Sequence, residues 1–152
     1  MIRHVSPVQR ANFELLRGAA ESLPPVVRRV MRRPTYGMNW SLAQRLPRTV
    51  RDNFWLVPGR DILCLVHASG AHEASSSCAP TELALHHGVV AISLRNHGAF
   101  GPTDRTIVGV MPDRATGAVV HTGVAQTTVP VSRHLFVLRD SVKEAPDNVS
   151  VR

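Results

Sequence analysis

The sequence predicts an α+β fold, a small β-rich domain of roll, sandwich or barrel type behind an N-terminal helical arm. Three observations predict it. Apolar residues recur at helical spacing through the first third of the chain. From about residue 50 they form short strand-like runs, separated by turn residues at intervals of roughly 8–12 residues. The arginines gather before that change of period. With 152 residues, against roughly 100–200 for a typical domain, the chain reads as one domain with an appendage. Residues 1–48 are the arginine-rich lead-in and 49–152 the β-rich domain.

Taken in order, the first helix starts at Ser6, with Pro7 in the first helical position and Gln9 completing a capping box. Phe13, Leu16, Ala20 and Leu23 continue one apolar face. "PPVVRRVMRRP" predicts a second short helix closed by Pro34, because a residue before proline avoids the helical region. "TYGMNWSLAQRLP" predicts a loop and a third short helix capped by Asn39 and ended at Pro47, with Trp40 and Leu42 as anchors on the main body. "NFWLVPG" and "DILCLVHAS" predict a hairpin with turn chemistry in PGRD. The serine-rich stretch after it reads as a loop. "APTELALHHG" is a helix, with Pro80 at its start and Gly88 as its stop. Strands follow at 89–94, 106–112, 117–123, 127–131 and 134–140, and "IVGVMPDRATGAVV" reads as a hairpin. The tail "APDNVSVR" is either a last edge strand or free.

The charge is unevenly divided. Residues 1–51 carry ten arginines against Glu14 and Glu21, a net +8; residues 52–152 carry eight basic and nine acidic residues, a net −1. The formal excess of +7 therefore belongs to the arm, through Arg28, Arg29, Arg32, Arg33, Arg45, Arg48 and Arg51 above all. Such asymmetry fits an anionic surface or an acidic protein as partner, and equally a solvated helix face. No run of about 18 apolar residues exists, so no transmembrane segment is expected. The first residues lack the apolar core of a signal peptide, which leaves a cytoplasmic protein or one whose leader lies outside this numbering.

The only two cysteines, Cys64 and Cys78, admit several readings. Joined, they close a loop of 15 residues, for which the chain-entropy account gives about 3 kcal/mol of stabilisation. Unjoined, they pack as small hydrophobes. Cys64, His67, His72 and Cys78 also fall as C-x2-H-x4-H-x5-C, near a zinc knuckle, although a strand at 62–68 sends Cys64 and His67 to opposite faces. Cys78 just before a helix start is a candidate nucleophile, its thiolate favoured by the helix terminus. Other signatures are missing: there is no G-x-S-x-G, no phosphate-binding glycine loop and no complete deaminase motif. No cofactor is indicated. The remaining histidines, including His86, His87, His97, His121 and His134, carry no pattern.

"FWLVPGRDILCLV", "SSSCAPTELALHHGVV", "IVGVMPDRATGAVV" and "VPVSRHLFVL" resemble a group of uncharacterised actinobacterial proteins of small secreted or envelope type, over roughly residues 40–140. In that group a W-LVPG strand leads to a cysteine-bearing strand, an S-C-A-P-T helix and a V-P-D-G-V hairpin, where this chain has "PDRAT". The resemblance implies that Cys64 and Cys78 are paired and that the domain works outside the cytoplasm. The expected function is therefore a non-enzymatic extracytoplasmic binding or interaction domain, with the basic arm for an anionic partner. The alternatives are a nucleic-acid binder, poorly supplied with aromatics near its arginines, and a thiol enzyme centred on Cys78.

Overall fold

A computed structural model describes residues 2–21, 23–30, 37–47, 53–69, 73–96, 103–140 and 148–152. In chain order the elements are helix α1 (Pro7–Asn12), a 3-10 turn at Glu14–Arg17, helix α2 (Pro25–Val30), a 3-10 turn at Trp40–Leu42, and strands β1 (Gln44–Arg45), β2 (Asn53–Gly59), β3 (Ile62–Ser69) and β4 (Glu73–Pro80). Helix α3 (Thr81–His87) follows, then β5 (Val89–Asn96), β6 (Thr103–Val110), β7 (Gly117–Thr122), β8 (Ala125–Pro130), β9 (Leu135–Asp140) and β10 (Asn148–Val151). The strands make three antiparallel sheets, ordered β1-β2-β3-β4, β5-β6-β9 and β10-β7-β8. The α+β, β-rich prediction holds, as a stack of sheets with helical cover.

Alternation along the strands explains the stack. In β2 and β3, Phe54, Leu56, Leu63 and Leu65 face one way, while Trp55, Val57, Ile62, Cys64 and Val66 face the other, and all are buried. The first set packs on Val89, Ala91, Val108, Val110 and Leu135 of the second sheet, with Phe13, Leu16 and Ala84 filling the same layer. The second set is covered by the lead-in through Leu23, Val27, Met38, Ala43 and Trp40. The second sheet is likewise apolar on both faces. Its far side, with Ile107, Phe136 and the adjoining Met111, meets Ala118, Val120, Val129 and Val149 of the third sheet. Where β5, β6 and β9 run side by side, Gly109 lies opposite Phe136, and a Cβ there would overlap the phenyl ring.

The lead-in is anchored by one buried amide. The Ser6–Gln9 capping box forms as predicted. The Gln9 side chain, fully buried, also donates from Nε2 to the carbonyls of Gly59 (3.2 Å) and Ile62 (3.0 Å) and to Thr81 Oγ1 (3.0 Å). It thus ties α1 to both ends of the β2–β3 turn and to the start of α3. That turn is Arg60-Asp61, with Asp61 at φ 53°, and Pro58-Gly59 belong to the strand before it. Beyond β1, Asn39 N–H donates to Pro58 O and Leu46 N–H to Phe54 O, so the lead-in covers that edge of the first sheet.

Four expectations are corrected. The apolar face from Phe13 to Leu23 is not one helix: Phe13, at φ −130°, breaks it after one and a half turns so that its ring can enter the core. The third short helix is a single 3-10 turn, though Asn39 does cap it by accepting from Ser41 N–H. The serine-rich loop is a strand, β4, paired along its length with β3. And "IVGVMPDRATGAVV" is not a hairpin, because β6 and β7 belong to different sheets and the turn at Pro112 carries the chain from one layer to the next.

Replacing Gln9→Leu should lower stability by about 2–4 kcal/mol in urea unfolding followed by tryptophan fluorescence, since two turn carbonyls lose their donor. Gly109→Ala should cost about 1–3 kcal/mol by overpacking. Combined with Phe136→Leu it should cost less than the two changes summed, a coupling that a double-mutant cycle reads directly.

Candidate functional site

Cys64 and Cys78 are directly opposite each other on β3 and β4 and are joined by a disulfide, with Cα atoms 4.0 Å apart. Cys64 is fully buried under the lead-in, whereas Cys78 is exposed. The bridge joins neighbouring strands and does not close a loose loop. It also removes the zinc arrangement of Cys64, His67, His72 and Cys78. Both sulfurs are bonded to each other, and His67 lies on the opposite face of β3, stacked on Phe54 at 4.6 Å. His72 lies outside the described residues. With its sulfur in the bridge, Cys78 offers no thiolate nucleophile in this form.

Of the arginines assigned to anion binding, Arg32, Arg33, Arg48 and Arg51 lie outside the described residues. Arg28 and Arg29 are exposed on α2, and Arg28 Nε donates to Leu23 O at 3.0 Å, its own helix entry. Arg45 is engaged locally: its guanidinium donates to Asn53 Oδ1 (2.7 Å), sits 3.7 Å from Glu21 Oε1 and lies 6.0 Å from the Trp55 ring centroid. Trp55 is in the core and Trp40 packs against it, so neither offers a stacking platform to a nucleic acid base. Tyr36 lies outside the described residues.

An open groove of about 520 Å³ lies where edges of the three sheets come together. One wall is β4, contributing every residue from Ser75 to Ala79; the other holds Val90 and Ile92 of β5, with Asn148 and Val149 of β10 at one end. His87 and Gly88 close the remaining side. Local chemistry builds this geometry. Pro80 and Thr81 turn the chain from β4 into α3; Gly88, at φ 68°, then turns it into β5, where a Cβ would meet Val110 O at 2.7 Å. His87 Nδ1 lies 2.8 Å from Val149 O and donates to it, since a carbonyl only accepts, which ties β10 to the end of α3. Ile92 is partly exposed on the groove wall, and no Asp, Glu, Lys or Arg lines the groove among the described residues. No hydrogen bond joins the groove serines to His87 among the described residues.

A second cluster ties the lead-in to the sheets. His134 Nε2 is 2.6 Å from Glu14 Oε2 and its Nδ1 is 3.5 Å from Asp113 Oδ1. Asp113 also accepts from Glu14 N–H (2.7 Å) and pairs with Arg17. Glu14, Asp113 and His134 offer three atoms of metal-ligating type within 4.8 Å of one another. Arg17 already neutralises one carboxylate, and Asp113 caps the 3-10 turn at Glu14, so the cluster acts as a latch. His134 sits with Arg133 in a turn where both have positive φ, 65° and 51°.

Sequence reasoning found the two cysteines but not the groove. Its wall reads as a loop, and its other residues come from two further stretches, 87–92 and 148–149. The available signal was the uncharged run of small residues after an apolar strand, which is compatible with an edge strand. The latch, spanning positions 14 to 134, had no sequence signal at all.

Compared with known proteins, the chain matches no family model, no curated protein and no solved structure. Its function has to be argued from its own geometry.

Cys64→Ser and Cys78→Ser remove the same bridge but differ in burial. Each should lose about 2–4 kcal/mol relative to the oxidised protein, measured with reductant present so that the remaining thiol stays free. Cys64→Ser should lose about 1–2 kcal/mol more than Cys78→Ser, because only there does a hydroxyl enter an apolar layer.

Proposed function

We propose that the protein is a non-enzymatic binding domain of an oxidising, extracytoplasmic compartment, which takes its ligand in the groove between β4, β5 and β10. The observation that carries this reading is the Cys64–Cys78 bridge, whose exposed half lies on the groove wall itself. An accessible disulfide is kept in oxidising compartments and is rare where glutathione and thioredoxin hold thiols reduced. The same bridge holds the wall in place, so binding surface and stabilising bond belong to one strand pair. No helix among the described residues is long and apolar enough to cross a membrane.

The arginine-rich lead-in supplies a second element, contact with an anionic surface or an acidic protein. Arg28 and Arg29, exposed on one short helix, support it. A nucleic acid would use the same charges, but Trp40 and Trp55 are taken up by packing, which favours charge contact over base stacking.

Alkylating intact cells before lysis and before any reductant, then weighing the protein from each cell fraction, tests the compartment. The expected outcome is an unalkylated, bridged protein outside the cytoplasm; two alkylated cysteines in the cytoplasmic fraction would sink the reading. For the arm, Arg28→Ala/Arg29→Ala should weaken binding to heparin and to anionic vesicles alike and flatten its salt dependence by about two phosphate-equivalents. A preference for duplex or single-stranded DNA over heparin would instead select the nucleic-acid alternative.

A further inference from the structure

The phase of the β3–β4 ladder says what the groove can hold, given that it is the binding surface. In an antiparallel pair, residues that exchange hydrogen bonds have Cα atoms about 5.5 Å apart; those that do not lie nearer about 4.5 Å and turn their N–H and C=O away from the partner. Cys64 and Cys78, at 4.0 Å, are of the second kind. The N–H and C=O of Cys78 therefore point to the outer side of β4, and so do those of Ser76, two residues earlier. Ser77 and Ala79, opposite Leu65 and Leu63, direct theirs inward to β3. Among the described residues no strand pairs with that outer edge and no backbone group bonds to Ser76 or Cys78 from that side. All five residues from Ser75 to Ala79 line the groove although their side chains alternate between faces, so the groove runs along the edge itself.

Such an edge is normally guarded by lysines, proline, a bulge or covering chain. Between Ser75 and Ala79 there is no lysine, proline or bulge, and among the described residues no chain pairs with the edge; Pro80, next in the outward phase, has no N–H and ends the template. We propose that an extended, uncharged polypeptide segment of a partner binds here by adding a strand to β4, hydrogen-bonding to the outward groups of Ser76 and Cys78. Three features select this occupant. Five strand residues span ~16 Å and all five line the groove, the length and course of one extended chain, whereas a second copy would have to bring its own β4 edge with the rest of its sheet. Among the described residues the groove offers no charge to pair with, so a charged side chain entering it would lose water without compensation. And Val90 and Ile92 add an apolar side to the lining, suited to small apolar side chains at alternate positions of the added strand.

The test uses the full-length oxidised protein and a displayed library of random heptapeptides, with selected sequences synthesised and titrated. The expected result is an uncharged consensus with apolar residues at alternate positions, binding tighter than about 100 µM. On saturation the amides of Ser76 and Cys78 should slow in hydrogen exchange by about tenfold or more, while those of Ser77 and Ala79 stay unchanged. N-methylating alternate residues of the peptide should abolish binding in one phase and leave it in the other. Ser76→Pro, which removes an outward N–H without touching the β3 ladder, should fold and fail to bind. Failure to select any binder, a charged consensus, or binding that leaves Ser76 and Cys78 unprotected would overturn strand addition. Protection of the same amides in a dimer without peptide would assign the edge to a second copy. None of these outcomes depends on compartment, so a reduced protein in the cytoplasm would defeat the preceding reading on its own evidence.

Discussion

Two-sided burial of β2 and β3 is the constraint on which the rest of the molecule depends. A strand pair with Phe54, Leu56, Leu63 and Leu65 on one face and Trp55, Val57, Cys64 and Val66 on the other cannot face water on either side. One face requires the second sheet and the other requires the lead-in, so the first third of the chain is structural whatever its arginines do. Gln9 follows from the same constraint. The β2–β3 turn is pressed against α1, its carbonyls are shut away from solvent, and one buried amide must supply the donors that water cannot. The middle sheet repeats the pattern, with the third sheet as its cover, and the outermost face of that third sheet is left to polar residues such as His121, Gln126 and Thr128.

How much of this could be read beforehand depends on where each element draws its information. Ser6-Pro7-x-Gln9 is a local signal with a local outcome, and the cap forms as read. Parity within strands is equally local: Ile107, Gly109 and Met111 lie on one side and Val108 and Val110 on the other, as alternation requires. Partnership between strands is not local. Nothing in "IVGVMPDRATGAVV" says that its two halves enter different sheets, because a turn looks alike whether it folds the chain back on itself or lifts it to the next layer. The break at Phe13 has the same origin, a side chain claimed by a core to which distant strands contribute.

Strand β4 was hidden for another reason. Strand propensity expresses packing against neighbours, and a serine on an edge has few. Glu73–Pro80 is a strand because β3 is a strong template beside it and a disulfide holds it there, not because its own residues prefer extension. The groove inherits that obscurity: it is bounded by Ser75–Ala79, by the solvent-facing part of β5 and by a strand from the far end of the chain, three segments with no common pattern. The cysteines were legible as a pair because chemistry marks them out whatever their setting. What they join, a buried strand and a surface one, was not.

The cross-strand bond has a consequence for how this molecule can change over time. A run of three serines carries no side-chain code for alignment, and a strand of that kind can slide past its neighbour by two residues at little cost. The bond from Cys64 to Cys78 sets the reading frame instead. It states which backbone groups look outward and which inward, independently of what occupies positions 75 to 77. Those positions are thereby released from the task of specifying the fold. They can drift in size and polarity while the strand keeps its place, so this wall is where related chains could diverge in what they bind without learning to fold anew.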